Sequence, residues 1–266
     1  MSGRLVVCPT PIGNLEDVTL RTLSALRDAD VIACEDTRRT RVLLDRYGVS
    51  GRLVSYHEHN EHERARELVQ RMRDGGVVAL VSDAGMPLVS DPGYVLVREA
   101  VAAGLAVEVL PGPSAVLAAL VASALPADHW RFAGFLPRKR AALERELSGP
   151  ETLVAFESPR RVGATLAVLA DLDPERQVAV CRELTKVHEE VVRGPAAEVA
   201  SRFSGDAPKG EVVLVVGGSS VSPQDADIEA AREAVARLVA AGAKRREAAK
   251  VVAGLTGVSA NALYDG

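Results

Sequence analysis

The segment Asp83-Ala84-Gly85-Met86-Pro87-Leu88-Val89-Ser90-Asp91-Pro92-Gly93 gathers Gly, Pro, Ser and Asp directly after an apolar stretch at 77–81. Residues of these types set backbone amides, carbonyls and short side chains against a ligand. Two more stretches share that character: Pro9-Thr10-Pro11-Ile12-Gly13-Asn14 after 5–8, and Pro111-Gly112-Pro113-Ser114-Ala115 after 107–110. Ligands of open α/β sheets lie beyond the carboxyl ends of the strands, so the three loops predict one binding site. Neither G-x-x-x-x-G-K-[ST] nor G-x-G-x-x-G occurs, which argues against a phosphate cradle. Two charged motifs, Cys34-Glu35-Asp36-Thr37-Arg38 and Cys181-Arg182-Glu183-Leu184-Thr185-Lys186, follow other strand candidates. They carry the acids and cations that proton transfer and charge stabilisation need.

These loops must be held by strands. Strand candidates at 5–8, 31–34, 53–56, 77–81 and 107–110 alternate with helix candidates at 19–27, 38–46, 61–73, 93–103 and 114–124. The rhythm predicts a largely parallel sheet covered on both faces, a first α/β domain over 1–125. After Pro126 it breaks around Trp130, Phe132, Gly134, Phe135 and Pro137. A charged helix is expected at 138–147, strands at 153–156, 178–184, 187–193 and 212–216, and helices at 159–170 and 196–203. The neighbouring strands 178–184 and 187–193 read as an antiparallel hairpin, so 126–218 is expected to be a second domain with a mixed sheet. Gly217-Gly218-Ser219-Ser220-Val221-Ser222-Pro223 has linker composition, and the linker is placed at 219–225. Helices are expected at 226–240, 244–253 and 260–264, the last capped by Ser259, with a turn at 254–258. The segment 226–266 then reads as a small helix-turn-helix-like domain, or equally as a helical cap or dimerisation element.

Length and composition set the class. The 266 residues are 47% hydrophobic, enough for a substantial core, and no run of about 18 uncharged apolar residues occurs. Met1-Ser2-Gly3-Arg4 leads straight into a strand candidate, so a cytoplasmic, non-membrane protein is expected. Cys8, Cys34 and Cys181 each lie in an apolar run and read as reduced core thiols. His57, His59 and His62 match no common zinc spacing, so no metal is expected. The net charge is −4, which opposes nucleic-acid binding by bulk electrostatics. Basic clusters nevertheless stand at Arg38, Arg39 and Arg41, at 138–140, at 160–161 and at 244–246, and 243–264 carries +3. Cations at the start of the 138–147 helix oppose its dipole unless an anion sits there, and phosphate is one such anion. Tyr56, Trp130 and Phe135 are aromatic positions that could stack on flipped bases, with core packing as the default.

Read together, the motifs resemble the tetrapyrrole methylase superfamily and, within it, the ribosomal RNA small subunit methyltransferase I family. They are Thr10-Pro11-Ile12-Gly13-Asn14-Leu15, Cys34 to Arg38, His57-Glu58-His59-Asn60-Glu61, Ser82 to Gly93, Pro111 to Ala115, Gly134-Phe135-Leu136-Pro137, Phe156-Glu157-Ser158-Pro159-Arg160-Arg161, Cys181 to Lys186 and Lys209-Gly210-Glu211. They run in the family's order from the first strand to the end of the second domain. The first loop lacks the G-x-G-P-G form usual in the wider superfamily, which favours the rRNA branch over a tetrapyrrole methylase.

The resemblance implies a two-domain, homodimeric enzyme that uses S-adenosylmethionine, whose amine and carboxylate suit loops of amides and hydroxyls. Its implied substrate is the 2′-hydroxyl of a cytidine ribose in the decoding region of 16S rRNA in the small ribosomal subunit. Cofactor contacts would come from Pro11 and Gly13, from Ala84, Gly85, Val89 and Ser90, from Ser114 and Ala115, from Phe156 and Glu157, and from Gly210, Glu211 and Val212. In-line transfer from a sulfonium needs the oxygen aligned with the methyl carbon, and a base or cation for the developing alkoxide. Lys186, Glu183 and Asp36 are the catalytic candidates. Lys186 is expected to stabilise the oxyanion or, if burial lowers its pKa, to take the proton; a salt-bridge network of Arg182, Glu183 and Lys186 is the competing reading. Asp83 and Asp91 are expected to brace their loop. Arg38, Arg138, Lys139, Arg140, Arg160, Arg161, Lys244, Arg245 and Arg246 are the RNA-binding candidates. Two other readings stand beside this one: a tetrapyrrole C-methyltransferase, and a non-catalytic S-adenosylmethionine-responsive regulator that binds nucleic acid.

Overall fold

The computed structural model describes residues 3–219, 223–256, 258–260 and 263. Strands β1 (Arg4–Val7), β2 (Val31–Cys34), β3 (Leu53–Ser55), β4 (Val77–Leu80) and β5 (Ala106–Val109) form a sheet in the order β3-β2-β4-β1-β5. Every pairing in it is parallel, as the alternation of strand and helix signals predicts. Leu5, Val7, Val31, Ala33, Val78 and Leu80 face one core, which also holds residues of α3 (Glu61–Arg73) and α4 (Tyr94–Ala102). Their neighbours Val6, Cys8, Ile32, Cys34, Ala79 and Val81 face a second core with α1 (Leu20–Asp28) and α2 (Thr37–Arg46). A strand covered on both sides must be apolar at every position. Each Leu or Ile buried in this way contributes roughly 1.5–3 kcal/mol. The edge strand β5 departs from this, with Ala106, Glu108 and Val109 exposed.

The second sheet contains β6 (Trp130–Phe135), β7 (Thr152–Glu157), β8 (Gln177–Arg182), β9 (Glu190–Pro195) and β10 (Val212–Val216), in the order β6-β7-β10-β8-β9. β6 pairs with β7 in parallel and the remaining pairs are antiparallel, so the sheet is mixed. Val212, Leu214 and Val216 turn to a core with α6 (Arg140–Leu147), α7 (Val162–Leu172) and α8 (Ala196–Arg202). Val213 and Val215 turn the other way, onto α5 (Ala115–Ser123). Helix α5 precedes Pro126, yet the strands it packs on belong to the second sheet.

Several expectations need correction. β6 is a strand that the break in rhythm hides; its register against β7 shifts between Phe132 and Phe135. The hairpin pairs as expected, but β8 stops at Arg182 and β9 starts at Glu190. Val187, expected in a strand, is 95% exposed in the turn between them. Gly217 and Ser219 are not loose linker: their amides donate to the Gln177 and Gly149 carbonyls at 2.8 and 3.0 Å. Helix α9 (Pro223–Ala240) takes in 223–225 of the expected linker, while 220–222 lie outside the described residues. Helix α10 (Arg245–Thr256) continues through Gly254 and Leu255, where the turn was expected. Ala260 and Leu263 are helical, and Tyr264 lies outside the described residues. Ala231, Val235, Ala248, Ala249, Val252 and Leu263 give α9 and α10 a small core of their own. Among the described residues no helix is long and apolar enough to cross a membrane, and no group of His, Cys, Asp and Glu could hold a metal ion. The cysteines are free and buried; burial pushes Cys8 up to about 12 and Cys181 up to about 11, so they stay thiols at neutral pH.

Candidate active site

β1 and β4 lie side by side, and their crossover helices α1 and α4 leave to opposite faces of the sheet. Such a switch point opens a crevice at the carboxyl edge. The two loops there are joined: the Thr10 and Gly85 amides each donate to the other's carbonyl at 2.9 Å, and the Thr10 hydroxyl donates to the Ser82 carbonyl at 3.0 Å. A cavity of about 430 Å³ lies between this edge and the second sheet, within the range of small-molecule sites. Ala84, Gly85, Val89 and Ser90 line it from the loop after β4, and Ser114 and Ala115 from the start of α5. Phe156 and Glu157 at the end of β7, and Gly210, Glu211 and Val212 leading into β10, form the facing wall.

Of the expected cofactor residues, Pro11 and Gly13 do not border the cavity; Ile12, between them, does. A Cβ on Gly13 would sit 2.5 Å from Lys186 Cγ and 2.8 Å from Thr185 Oγ1. Gly13 is therefore the point where the first loop touches the β8–β9 turn. Leu184 and Asp91 line the wall without having been expected as cofactor contacts, and Phe135, one of the three aromatic positions considered for stacking, also borders the cavity. Phe135 is 64% exposed and its ring lies 5.5 Å from that of Phe156, so core packing, its default reading from sequence, does not hold. Tyr56 is buried instead, its hydroxyl accepting from the Leu96 amide at 3.2 Å, and Trp130, in β6, packs into the core between the second sheet and α5.

Backbone strain gathers on both sides of the cavity. Leu88 and Ser90 have φ of 73° and 65°, and Glu183 and Thr185, in the opposing turn, 52° and 68°. A left-handed residue other than Gly costs about 1–2 kcal/mol, and such residues cluster at ligand sites.

The expected catalytic groups are tied to one another. Lys186 Nζ donates to Glu183 Oε1 at 2.7 Å and to Glu211 Oε2 at 2.9 Å. Burial acts to lower its pKa, but the two carboxylates outweigh it and hold the ammonium above the usual lysine value. In this geometry Lys186 is a paired ammonium held by two carboxylates, which favours the cation over a neutral amine base. Its ammonium and the Glu211 amide, 2.9 Å from Oε1, hold Glu183 below the usual carboxylate range. Arg182 pairs with Glu190 at 3.1 Å, so the network differs from the expected Arg182–Glu183–Lys186 set. Asp36 caps α2, accepting from the Arg38 amide at 2.8 Å and from its guanidinium at 2.7 and 3.1 Å. These bonds take Asp36 down to about 2, which suits a cap and not a base. Asp83 does brace its surroundings, accepting from the Asp36 amide at 3.0 Å and pairing with Arg39 at 3.5 Å. Asp91 differs: burial pushes its carboxyl up to about 6, Glu35 and Asp83 add to the rise, and the Ser82 hydroxyl offsets part of it.

The cations divide in the same way. Arg140 spans Glu144 at 2.7 Å and Asp171 at 2.9 Å, so the anion at that helix start is internal. Arg161 donates to the Leu136 and Pro137 carbonyls at 3.1 and 2.7 Å and lies 3.4 Å from Glu157. Arg38 is held by Asp36. Arg138, Lys139, Arg160, Lys244, Arg245 and Arg246 are exposed.

Comparison with known proteins matches residues 4–200 to the family of Tetrapyrrole (Corrin/Porphyrin) Methylases. The Ribosomal RNA small subunit methyltransferase I of Mesorhizobium japonicum is 47% identical over 98% of this chain and 90% of its own length. The Escherichia coli O157:H7 protein of that name is 42% identical over 98% and 93%. The Thermotoga maritima one is 43% identical, over 99% of its own length but 81% of this chain. Among solved structures, a Thermus thermophilus uroporphyrin-III C-methyltransferase superposes with a TM-score of 0.58 at 25% identity, covering 82% of this chain and 94% of that one. A diphthine synthase has the same fold, with a TM-score of 0.61 at 18% identity over 81% and 90%. Kinship at this identity over nearly the whole length places the protein among the tetrapyrrole methylases and, within them, in the ribosomal RNA small subunit methyltransferase I family.

Proposed function

We propose that the protein transfers the methyl group of S-adenosylmethionine to small-subunit ribosomal RNA, at the 2′-hydroxyl of a cytidine ribose in the decoding region of 16S rRNA. The observation that carries this is the cavity at the β1/β4 switch point, in a chain whose nearly full-length relatives bear that methyltransferase's name. Its residues fit the cofactor. The Phe156 ring and the side chains of Ile12, Val89, Leu184 and Val212 suit a nucleoside, and the loop at 84–90 offers backbone polar groups. Bound there, S-adenosylmethionine supplies an electrophilic methyl carbon on a sulfonium.

The chain's share of the work is to place the two reactants and to manage one proton. The two strained loops fix the walls before any ligand enters, and the Lys186–Glu183–Glu211 bridge locks the turn to β10. Phe135, exposed at the cavity, is available to stack on a base lifted from the RNA. Arg138, Lys139 and Arg160 beside it, with Lys244, Arg245 and Arg246 on the helical unit, are the cations proposed to contact phosphate. The molecule's −4 charge favours an assembled subunit, recognised by shape, over free RNA. A homodimer in the cytoplasm completes the proposal: Leu117 and Val121 lie on the side of α5 turned from the second sheet, 52% and 81% exposed, and suit a second copy.

Transfer of tritium from labelled S-adenosylmethionine into purified small subunits, naked rRNA or uroporphyrinogen tests the reading. Label is expected in subunits first, at one cytidine whose 3′ linkage then resists alkali. Label in uroporphyrinogen alone would make the protein a tetrapyrrole methylase, and binding without transfer to any substrate would make it a regulator.

A further inference from the structure

We infer that Asp91 is the proton acceptor for the ribose hydroxyl that attacks the methyl donor. The inference rests on the methyl-transfer reading above and adds the group that carries the proton away.

The carboxylates bordering the cavity are Asp91, Glu157 and Glu211. Glu157 is committed at both oxygens: Oε1 accepts from the Ser158 amide at 2.7 Å and Oε2 from the Thr165 hydroxyl at 2.6 Å, with Arg161 at 3.4 Å. Glu211 holds the Lys186 ammonium at 2.9 Å. Neither can accept a proton without giving up a partner. Asp91 is in no ion pair: its partner is the neutral Ser82 hydroxyl, which can turn to the Ala84 and Gly85 carbonyls 3.4 Å away, and no cation contributes to its environment. It stands at the head of the switch-point crevice, directly after Ser90, whose left-handed backbone fixes how the loop presents its next residue.

The groups facing it are acidic or neutral. Glu35 comes from the end of β2, and Ser82 and Asp83 from the end of β4. Glu157 and Glu211 lie across the cavity. His57 and Arg39 stand beside Glu35 and act on that residue. Burial and two neighbouring carboxylates therefore keep the Asp91 carboxyl near 6, basic enough to take a proton at neutral pH, whereas Asp36 lies near 2. In the step, the ribose O–H bond breaks and its proton passes to Asp91 Oδ. An oxygen lone pair forms the new O–CH3 bond, and the C–S bond breaks with its electron pair left on sulfur. The sulfonium's positive charge is thereby matched by the proton, which Asp91 later returns to water.

Asp91→Asn and Asp91→Glu should be compared with the wild type in single-turnover transfer to small subunits, in calorimetric binding of S-adenosylmethionine, and in thermal melting without ligand. Asp91→Asn is expected to slow transfer by about 100-fold or more with cofactor affinity within twofold, and Asp91→Glu to recover part of the rate. The wild-type rate should fall as pH drops through about 6. A carboxyl raised in the folded state adds stability below its unfolded pKa and loses it as pH rises through the folded one. Asp91→Asn should accordingly melt above the wild type at pH 7.5 and level with it near pH 4. Wild-type transfer matched within threefold by Asp91→Asn would overturn the role and leave the methyl-transfer reading intact. A more than tenfold loss of cofactor affinity would assign the carboxylate to the cofactor's ammonium and overturn it too. A wild-type rate flat from pH 5 to 8 overturns it even if Asp91→Asn fails to fold, and a wild type that transfers no label removes both readings.

Discussion

Lys186 shows how much a single side chain can change meaning between sequence and structure. A lysine among apolar and acidic residues invites the idea of a neutral amine, because burial alone disfavours the ammonium. With Glu183 and Glu211 within 2.9 Å, the balance reverses and the ammonium is held. The two glycines around it explain why it fits. A Cβ on Gly13 would press on the Lys186 stem, and one on Gly210, which has φ of +93°, would overlap the Glu183 side chain. The bridge is partly exposed, so its contribution is modest. Lys186→Ala should destabilise the fold by about 1 kcal/mol, roughly 2–4 °C in melting temperature for a domain of this size. Differential scanning calorimetry at low and high salt checks it: the loss should shrink as salt screens the pair, and an unchanged melting temperature at low salt would show the bridge to be idle. The sense of Asp91 shifts as well. Its motif reads as a loop brace, and only the neighbours brought to it by β2 and β4 separate it from Asp83, which does brace.

Among the elements, the junction of β6, β7 and α7 positions the wall of the cavity. Glu157 ends β7 with its carboxylate fully buried, joined to Ser158, Thr165 and Arg161, and Arg161 reaches the Leu136 and Pro137 carbonyls just past β6. One acid and one arginine thus set Phe135 against Phe156. Glu157→Ala would leave a buried hydroxyl and an amide without their partner and take the countercharge from Arg161, which costs about 3 kcal/mol, or roughly 6–12 °C. Thermal unfolding monitored by circular dichroism measures it, with Glu157→Gln expected to fall in between; a change under 2 °C would rule out this structural role. The same junction marks the limit of what the chain's pattern reveals. β1, β2, β4 and β10 are legible because burial on two faces demands unbroken apolar runs such as Val212 to Val216. β6 is half-buried from Trp130 to Gly134 and exposed at Phe135, holds Gly134 at φ +64°, and slips register against β7, so neither an alternating nor a continuous pattern survives. The cavity loops are legible from their Gly, Pro and Ser content. Which of their residues face the ligand is not, since Ile12 rather than its neighbours reaches the cavity once Gly13 is spent on contact with the turn.

At the scale of the whole molecule, the two sheets and the α9–α10 unit differ in how they depend on one another. The first sheet's loops and the second sheet, on which α5 packs, enclose the cavity between them, and no core residue of either sheet lies beyond Val216 among the described residues. The helices close their own small core. Within the helical unit the positive charge is confined to 243–264, which carries +3, since 223–242 holds four acids against two arginines. A chain ended after Ser219 keeps the amide anchors of Gly217 and Ser219 and loses only the helical unit. It should melt within about 2 °C of the full-length protein, as expected when no core contact is removed, and bind S-adenosylmethionine equally well. Its binding to small ribosomal subunits should weaken and become less sensitive to salt. If Lys244, Arg245 and Arg246 each neutralise one phosphate, the slope of log affinity against log salt falls by about 2–3. Titrations between 50 and 200 mM salt would show this. An unchanged slope would mean that the helical unit does not touch RNA, and that its exposed Val251 and Leu255 serve contact with protein instead.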